Sequence, residues 1–219
     1  MLGIRTAMSI AGSDSGAGAG VQADLKTFAA FGVYGTSALT AITAQNTIGV
    51  SAVHDLPLDI ISAQIDAVIL DIGTNSVKTG MLSNIGIIEL VGSKIREHAV
   101  TNLVVDPVMV AKGGDRLLAE DAIYAMRSVL IPLASVVTPN LPEASALVNR
   151  TVETVEEARK AAVDIVSMGA KSVVVKGGHL VGDAVDIFYD GKEFTEFVEP
   201  RIDTSSTHGT GCTFASSIA

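Results

Sequence analysis

The chain has 219 residues, 48% of them hydrophobic, and a formal net charge of −9; its mean hydropathy is +0.44 and its pI about 4.8. That length suits one large domain or two small ones, and no run reaches the roughly 18 uninterrupted apolar residues of a membrane span. The acidic balance argues against nucleic acid, whose phosphates need a basic footprint, but leaves room for a small anionic substrate held by a few local donors.

Strand and helix patterns alternate along the chain. "RTAMSIA" (5–11) reads as a strand. "VQADLKTFAAFG" (21–32) reads as a helix, with Leu25, Phe28 and Ala29 at i, i+3, i+4 and Gly32 as its stop. A strand over 36–43, a helix over 58–71, a strand over 76–81, a helix over 85–98 and a strand over 102–108 follow. The pattern predicts a helix over 119–131 and a strand over 134–140. Thr154 and Glu157 form a capping-box pair that opens a helix ending at Gly169. A strand over 172–178 and a hairpin over 184–198, turned at Asp190-Gly191, precede a last helix starting at "GTGCTFASSIA". Val, Ile and Ala dominate, as strands buried on both faces require. The fold class is therefore α/β, with a central, mostly parallel sheet covered by helices on both faces. Ligands of such folds sit beyond the carboxyl ends of the strands.

The lone cysteine, Cys212, rules out an internal disulfide and suits a reducing, cytoplasmic compartment. "MLGIRTAMSIAG" lacks the basic start and long apolar region of a secretory signal. His54, His98, His179 and His208 have no metal-ligand spacing, which argues against a structural zinc site.

"IAGSDSGAGAGVQADLK" carries Gly12, Gly16, Gly18 and Gly20 after an apolar run. It looks like a phosphate cradle, yet Val21 and Gln22 stand where a P-loop needs Lys-Ser/Thr, and G-x-G-x-G is not the dinucleotide spacing. A flexible strand-to-helix connection explains it equally well. The strand ends offer better candidates. Asp106 suits magnesium or its waters, or a plain loop carboxylate. Lys112, beside Gly113 and Gly114, could close over phosphates, or lie in a solvated turn. Asn140 and Glu143 flank Pro142 as a helix cap with an acidic first turn, or Glu143 is a second anchor for hydrated magnesium. Lys176, ending an apolar strand, calls for an anionic partner such as phosphate, or snorkels to the surface.

Gly209 and Gly211 precede a helical run, so their N–H groups and the helix dipole form an anion site for charge on a transferring phosphoryl group. Cys212 then falls in the first turn, where a lowered thiol pKa is expected; an inert buried cysteine is the bland alternative. Gln45 could pair with the donor and acceptor edge of a heterocycle. Met81 is a soft contact for a ring, or core. Asp24 could accept from a hydroxyl or amine.

Together, "AGSDSGAGAGVQADLKT", "AQNT", "KTGML", "DPVMVAKGGD", "TPNLPEA", "VKGGH" and "THGTGCT" resemble the hydroxymethylpyrimidine and hydroxymethylpyrimidine-phosphate kinases of thiamine biosynthesis. The resemblance spans nearly the whole chain and implies a single ribokinase-like kinase domain over 1–219, a three-layer sandwich. It implies ATP-dependent phosphorylation of the pyrimidine and its monophosphate to the diphosphate, with Mg2+. Ala19, Gln45, Met81 and Val108 would line the pyrimidine, with Asp24 near its polar substituents. Asp106 and Glu143 would organise Mg-ATP through water, with Asn140, Lys176 and Lys112 toward the phosphates. Gly209 and Gly211 would form the anion hole, and Cys212 would stand where many ribokinase-like enzymes carry an Asp general base. The family continues past the point where this chain stops, Ala219, and that segment helps form the adenine side. A homodimer is implied as well. Pyridoxine or pyridoxal kinases share several of these motifs, and a catalytically weak vitamin-binding domain is an alternative of another class.

Overall fold

The computed structural model describes residues 3–109, 121–178 and 183–219. Its strands form one nine-stranded sheet in the order β3-β2-β1-β4-β5-β6-β7-β8-β9. They are β1 (Thr6–Asp14), β2 (Tyr34–Gln45), β3 (Val50–Asp55), β4 (Ser76–Thr79), β5 (Leu103–Val105), β6 (Val136–Val137), β7 (Ser172–Val175), β8 (Ala184–Tyr189) and β9 (Phe194–Glu199). The inner pairings from β2 through β7 are parallel, and β3, β8 and β9 close the edges antiparallel.

The inner strands are Val-, Ile- and Ala-rich because both of their faces are covered. On one face Met8, Ile10, Val77, Val105, Val137 and Val173 join the main hydrophobic core. It is completed by α2 (Leu58–Asp71), α3 (Ile85–Glu97), α4 (Ala122–Ala125), α5 (Leu141–Val148) and α6 (Val155–Ser167). On the other face α1 (Gly20–Ala30) packs on β1 and β2 and against α7 (Thr210–Ile218). The result is the expected three layers. No helix among the described residues is long and apolar enough to cross a membrane.

Local chemistry sets the boundaries. Gly32, at φ +71°, follows the end of α1, and the Thr154/Glu157 capping box opens α6. The Asp190-Gly191 turn is present: Asp190 Oδ1 accepts from the N–H groups of Lys192 and Glu193, and Tyr189 pairs with Phe194. Two sequence expectations change. The helix expected over 119–131 is, in its described part, four α-helical residues and then a wide turn over Met126–Leu130, where Ile131 N–H reaches back to the Met126 carbonyl. A tight 3-10 turn containing Pro132 follows; proline has no N–H to continue an α-helical ladder. The edge strand β3 had no assignment, because most of its residues are exposed and give no apolar alternation.

Candidate active site

The carboxyl ends of β1, β2, β4, β5 and β7 and the start of α7 converge on one side of the sheet. A cavity of about 50 Å3 lies there. Ala19, Gln45, Met81 and Val108 all line it, together with Lys78 and Cys212. Gly12 lets the wall close: a Cβ there would stand 2.7 Å from Met81 Cε. Thr43 Oγ1 donates to Gln45 Oε1 at 3.0 Å, and Ser15 Oγ ties the Gln45 backbone at both N–H and C=O, so the amide is held in place.

The glycine-rich loop wraps around a carboxylate of its own. Asp14 Oδ1 accepts from Gly16 N–H at 2.8 Å, and Oδ2 from Gly18 at 3.1 Å and Ala19 at 2.8 Å. His208 Nε2 meets the same Oδ2 at 2.8 Å. Burial alone would raise the Asp14 pKa; the His208 contact and the loop N–H groups outweigh it and hold the carboxyl below its ordinary range. With these donors turned onto Asp14, the loop shapes a wall of the cavity, and backbone N–H groups suited to an anion lie instead at the other end of the chain.

That other end is the turn before α7. Gly209 adopts φ +80°, and a Cβ there would run into the Gly18 carbonyl oxygen. The close approach seats the second loop on the first. The first-turn N–H groups of Gly211 and Cys212 have no carbonyl within their own helix to meet, and the helix dipole adds to their pull on an anion.

Asp24 does not line the cavity, contrary to its expected place beside a ligand. It is fully buried on α1, and both of its oxygens hold Lys78 Nζ, at 2.9 and 3.0 Å. Ser9 donates to Oδ2 at 2.5 Å and Ser216 to Oδ1 at 2.6 Å. The geometry follows from register, since Ser9 and Lys78 are partners across β1 and β4 and face α1 together. Lys78 instead reaches the cavity wall. Burial works against its ammonium, but the charges of Cys212, Asp24 and Asp106 outweigh that and raise its pKa.

The expected low thiol pKa is also corrected. Residue Cys212 keeps partial exposure, but its thiol lies on the desolvated cavity wall. Burial pushes its pKa up, Lys78 pulls it down, and Asp106 and Asp24 push it up again, for a net rise. The helix terminus does not overcome desolvation and two nearby carboxylates.

Beyond the cavity, Lys176 Nζ bonds Asp106 Oδ1 at 3.2 Å, and Thr138 Oγ1 donates to the same oxygen at 3.3 Å. Lys176 therefore has a carboxylate partner in place, and its pKa is raised: burial opposes its charge, and Asp106 and Glu143 favour it more strongly. Its Nζ also lies 6.0 Å from the Phe214 ring centre on α7. Asn140 and Glu143 form a reciprocal capping box at the start of α5, Asn140 Oδ1 accepting from Glu143 N–H and Glu143 Oε2 from Asn140 N–H. That box does not exhaust Glu143, which is buried beside Asp106. Burial first and Asp106 second push its pKa to about 7, against the pull of Lys176 and the Asn140 N–H. Lys112 lies outside the described residues.

Three site residues escaped sequence reasoning: Asp14, His208 and Lys78. Lys78 carried a readable signal. It is a lysine inside a short buried strand, the same oddity that drew attention to Lys176. Asp14 and His208 carried none, because their meaning lies in a contact between distant loops.

Comparison with known proteins identifies the family. The family model for phosphomethylpyrimidine kinase matches residues 14–219. The chain is 48% identical to the hydroxymethylpyrimidine/phosphomethylpyrimidine kinase of Bacillus subtilis, over 99% of this chain and 81% of that protein. It is 52% identical to the protein of the same name from Rhizobium meliloti, over 97% of this chain and 80% of that one. Among solved structures, phosphomethylpyrimidine kinase from Clostridium difficile matches with a TM-score of 0.86 at 44% identity, over 97% of this chain and 87% of that one. An ADP complex of Bacillus subtilis pyridoxal kinase matches with a TM-score of 0.90 at 44% identity, over 98% and 82%. A model match covering nearly the whole sequence, and relatives near half identity, place the chain in the phosphomethylpyrimidine kinase family.

Proposed function

We propose that this protein transfers the γ-phosphoryl group of ATP to hydroxymethylpyrimidine and then to its monophosphate, making the diphosphate used for thiamine. One observation carries the reading: the cavity lined by Gln45, Met81 and Val108 shares Cys212 with the N-terminal turn of α7. An acceptor hydroxyl on a ring held in that cavity sits beside N–H groups suited to an anionic phosphoryl group.

Gln45 offers an amide donor and acceptor to the pyrimidine edge, and Met81 and Val108 offer apolar faces. Cys212, on the cavity wall, is the group for the acceptor hydroxyl; its raised pKa keeps the thiolate a minor form, and that form takes the proton. Positioning and charge stabilisation do most of the work in such transfers, so a modest base suffices. Lys176 neutralises phosphate charge. The acidic pair fits a hydrated magnesium, because Glu143 is held next to Asp106 against like-charge repulsion. Bound there with ATP, magnesium would neutralise phosphate oxygens. A homodimer belongs to the same reading, from the family likeness, and light scattering tests it.

A second reading, pyridoxal phosphorylation, is supported by matches to pyridoxal kinase structures at 44% and 40% identity, each with a TM-score of 0.90. The experiment that separates the two is ADP release with Mg-ATP and each acceptor in turn. Turnover on both pyrimidines, with pyridoxal much slower, is expected. Faster turnover on pyridoxal would reverse the assignment.

A further inference from the structure

We propose that Lys78 is a positioning residue for the transfer site: held by Asp24, its ammonium is the fixed positive charge that faces Cys212 across the acceptor cavity. The inference deepens the reading of Cys212 as the group beside the acceptor hydroxyl and rests on it.

Lys78 and Asp24 are both fully buried, and both line up on the α1 face of the sheet. A buried ion pair with no other task is weak evidence for stability, since apolar replacements often serve as well. This one is not sealed away, because Lys78 forms part of the cavity wall on which Cys212 also lies. Its geometry is fixed from three sides. Ser9 on β1 and Ser216 on α7 each donate to Asp24, and Asp24 holds Lys78 with both oxygens. Ser216 is four residues after Cys212, so the two share one face of α7. The Ser216–Asp24 bond therefore locks the helix face carrying the thiol to the element carrying the ammonium.

The other charged groups near the thiol are Asp24 on α1, Asp106 after β5 and Lys176 after β7. Lys176 bonds Asp106, and Asp24 is spent on Lys78. Both lysines are paired, but Lys78 lines the cavity together with Cys212 and Lys176 does not, so Lys78 is the cation that offsets desolvation of the thiol. Without that charge the thiol ionises less readily, so less thiolate is present to take the acceptor proton.

Cys212 is the chain's only cysteine, so alkylation by iodoacetamide reports on it alone. The rate is measured against pH for the full chain and for Lys78→Met, Lys78→Arg, Asp24→Asn and the Lys78→Met/Asp24→Asn double variant. Loss of the ammonium is expected to move the midpoint up by about one pH unit or more, with Lys78→Arg close to wild type. If Lys78→Met fails to fold, the double variant is compared with Asp24→Asn, and the same upward step is expected. Turnover should fall at least about tenfold in Lys78→Met with the KM for ATP unchanged. A midpoint unmoved by removing Lys78, in either background, would overturn the proposal and leave a purely structural ion pair. The alkylation readout needs no kinase activity, so the coupling of Lys78 to Cys212 is measured whether or not the pyrimidine acceptors turn over, and failure on those acceptors is read separately.

Discussion

Asp14, ending β1, and His208, just before α7, are 194 residues apart and meet at 2.8 Å. The contact joins the loop that walls the cavity to the turn that opens α7. Asp14 is almost wholly buried, and its folded pKa lies below the ordinary value of 3.8. Its stabilising contribution is therefore complete above that value and is lost as pH falls through the lower folded one. Asp14→Asn should cost about 1–3 kcal/mol near neutral pH. In urea unfolding from pH 7 to pH 3, the gap to wild type should narrow below pH 3.8. A gap that stays constant across that range would mean the carboxylate charge contributes nothing.

Glu143 runs the opposite way. Its folded pKa of about 7 lies above the ordinary 4.5. Ionising it costs the folded state nothing below pH 4.5, and the full penalty applies above about 7. Glu143→Gln keeps a side chain able to serve in the capping box and removes the charge. In magnesium-free buffer it should melt above wild type at alkaline pH, and its turnover with Mg-ATP should drop at least about tenfold. Thermal melts of both proteins across that pH range check the first point. Parallel curves would refute the assigned repulsion with Asp106.

Gly209→Ala tests the anion turn. A left-handed conformation costs an L-residue about 1–2 kcal/mol, and here the added Cβ also meets the Gly18 carbonyl. The turn must shift away from the glycine-rich loop. Turnover should fall roughly a hundredfold, as when a donor to a developing anion is displaced. Steady-state rates at saturating substrates, alongside a melting curve, give the answer.

Gln45→Ala should raise the KM for the pyrimidine about tenfold, the scale of one lost hydrogen bond, with the KM for ATP unchanged. Equal effects on both substrates would remove Gln45 from the acceptor pocket. Cys212→Ser should lower turnover with little change in either KM, and wild-type turnover would exclude the thiol from the mechanism.

The order of strands and helices was legible in the sequence because periodicity, caps and turn residues are local. Gly32, the Thr154/Glu157 box and the Asp190-Gly191 turn stand where local chemistry put them. Gln45, Asp106 and Lys176 likewise lie at or just past the carboxyl ends of β2, β5 and β7, as their place in the strand pattern implied. Only the tertiary structure decided what neighbours these groups have. Asp24 was readable as a polar residue on a helix, but register across β1 and β4 turned it inward onto Lys78. Cys212 was readable as a first-turn thiol, but the carboxylates that raise its pKa come from α1 and from the end of β5. Charges act through space, and their distances are set by packing between segments that the linear sequence keeps far apart.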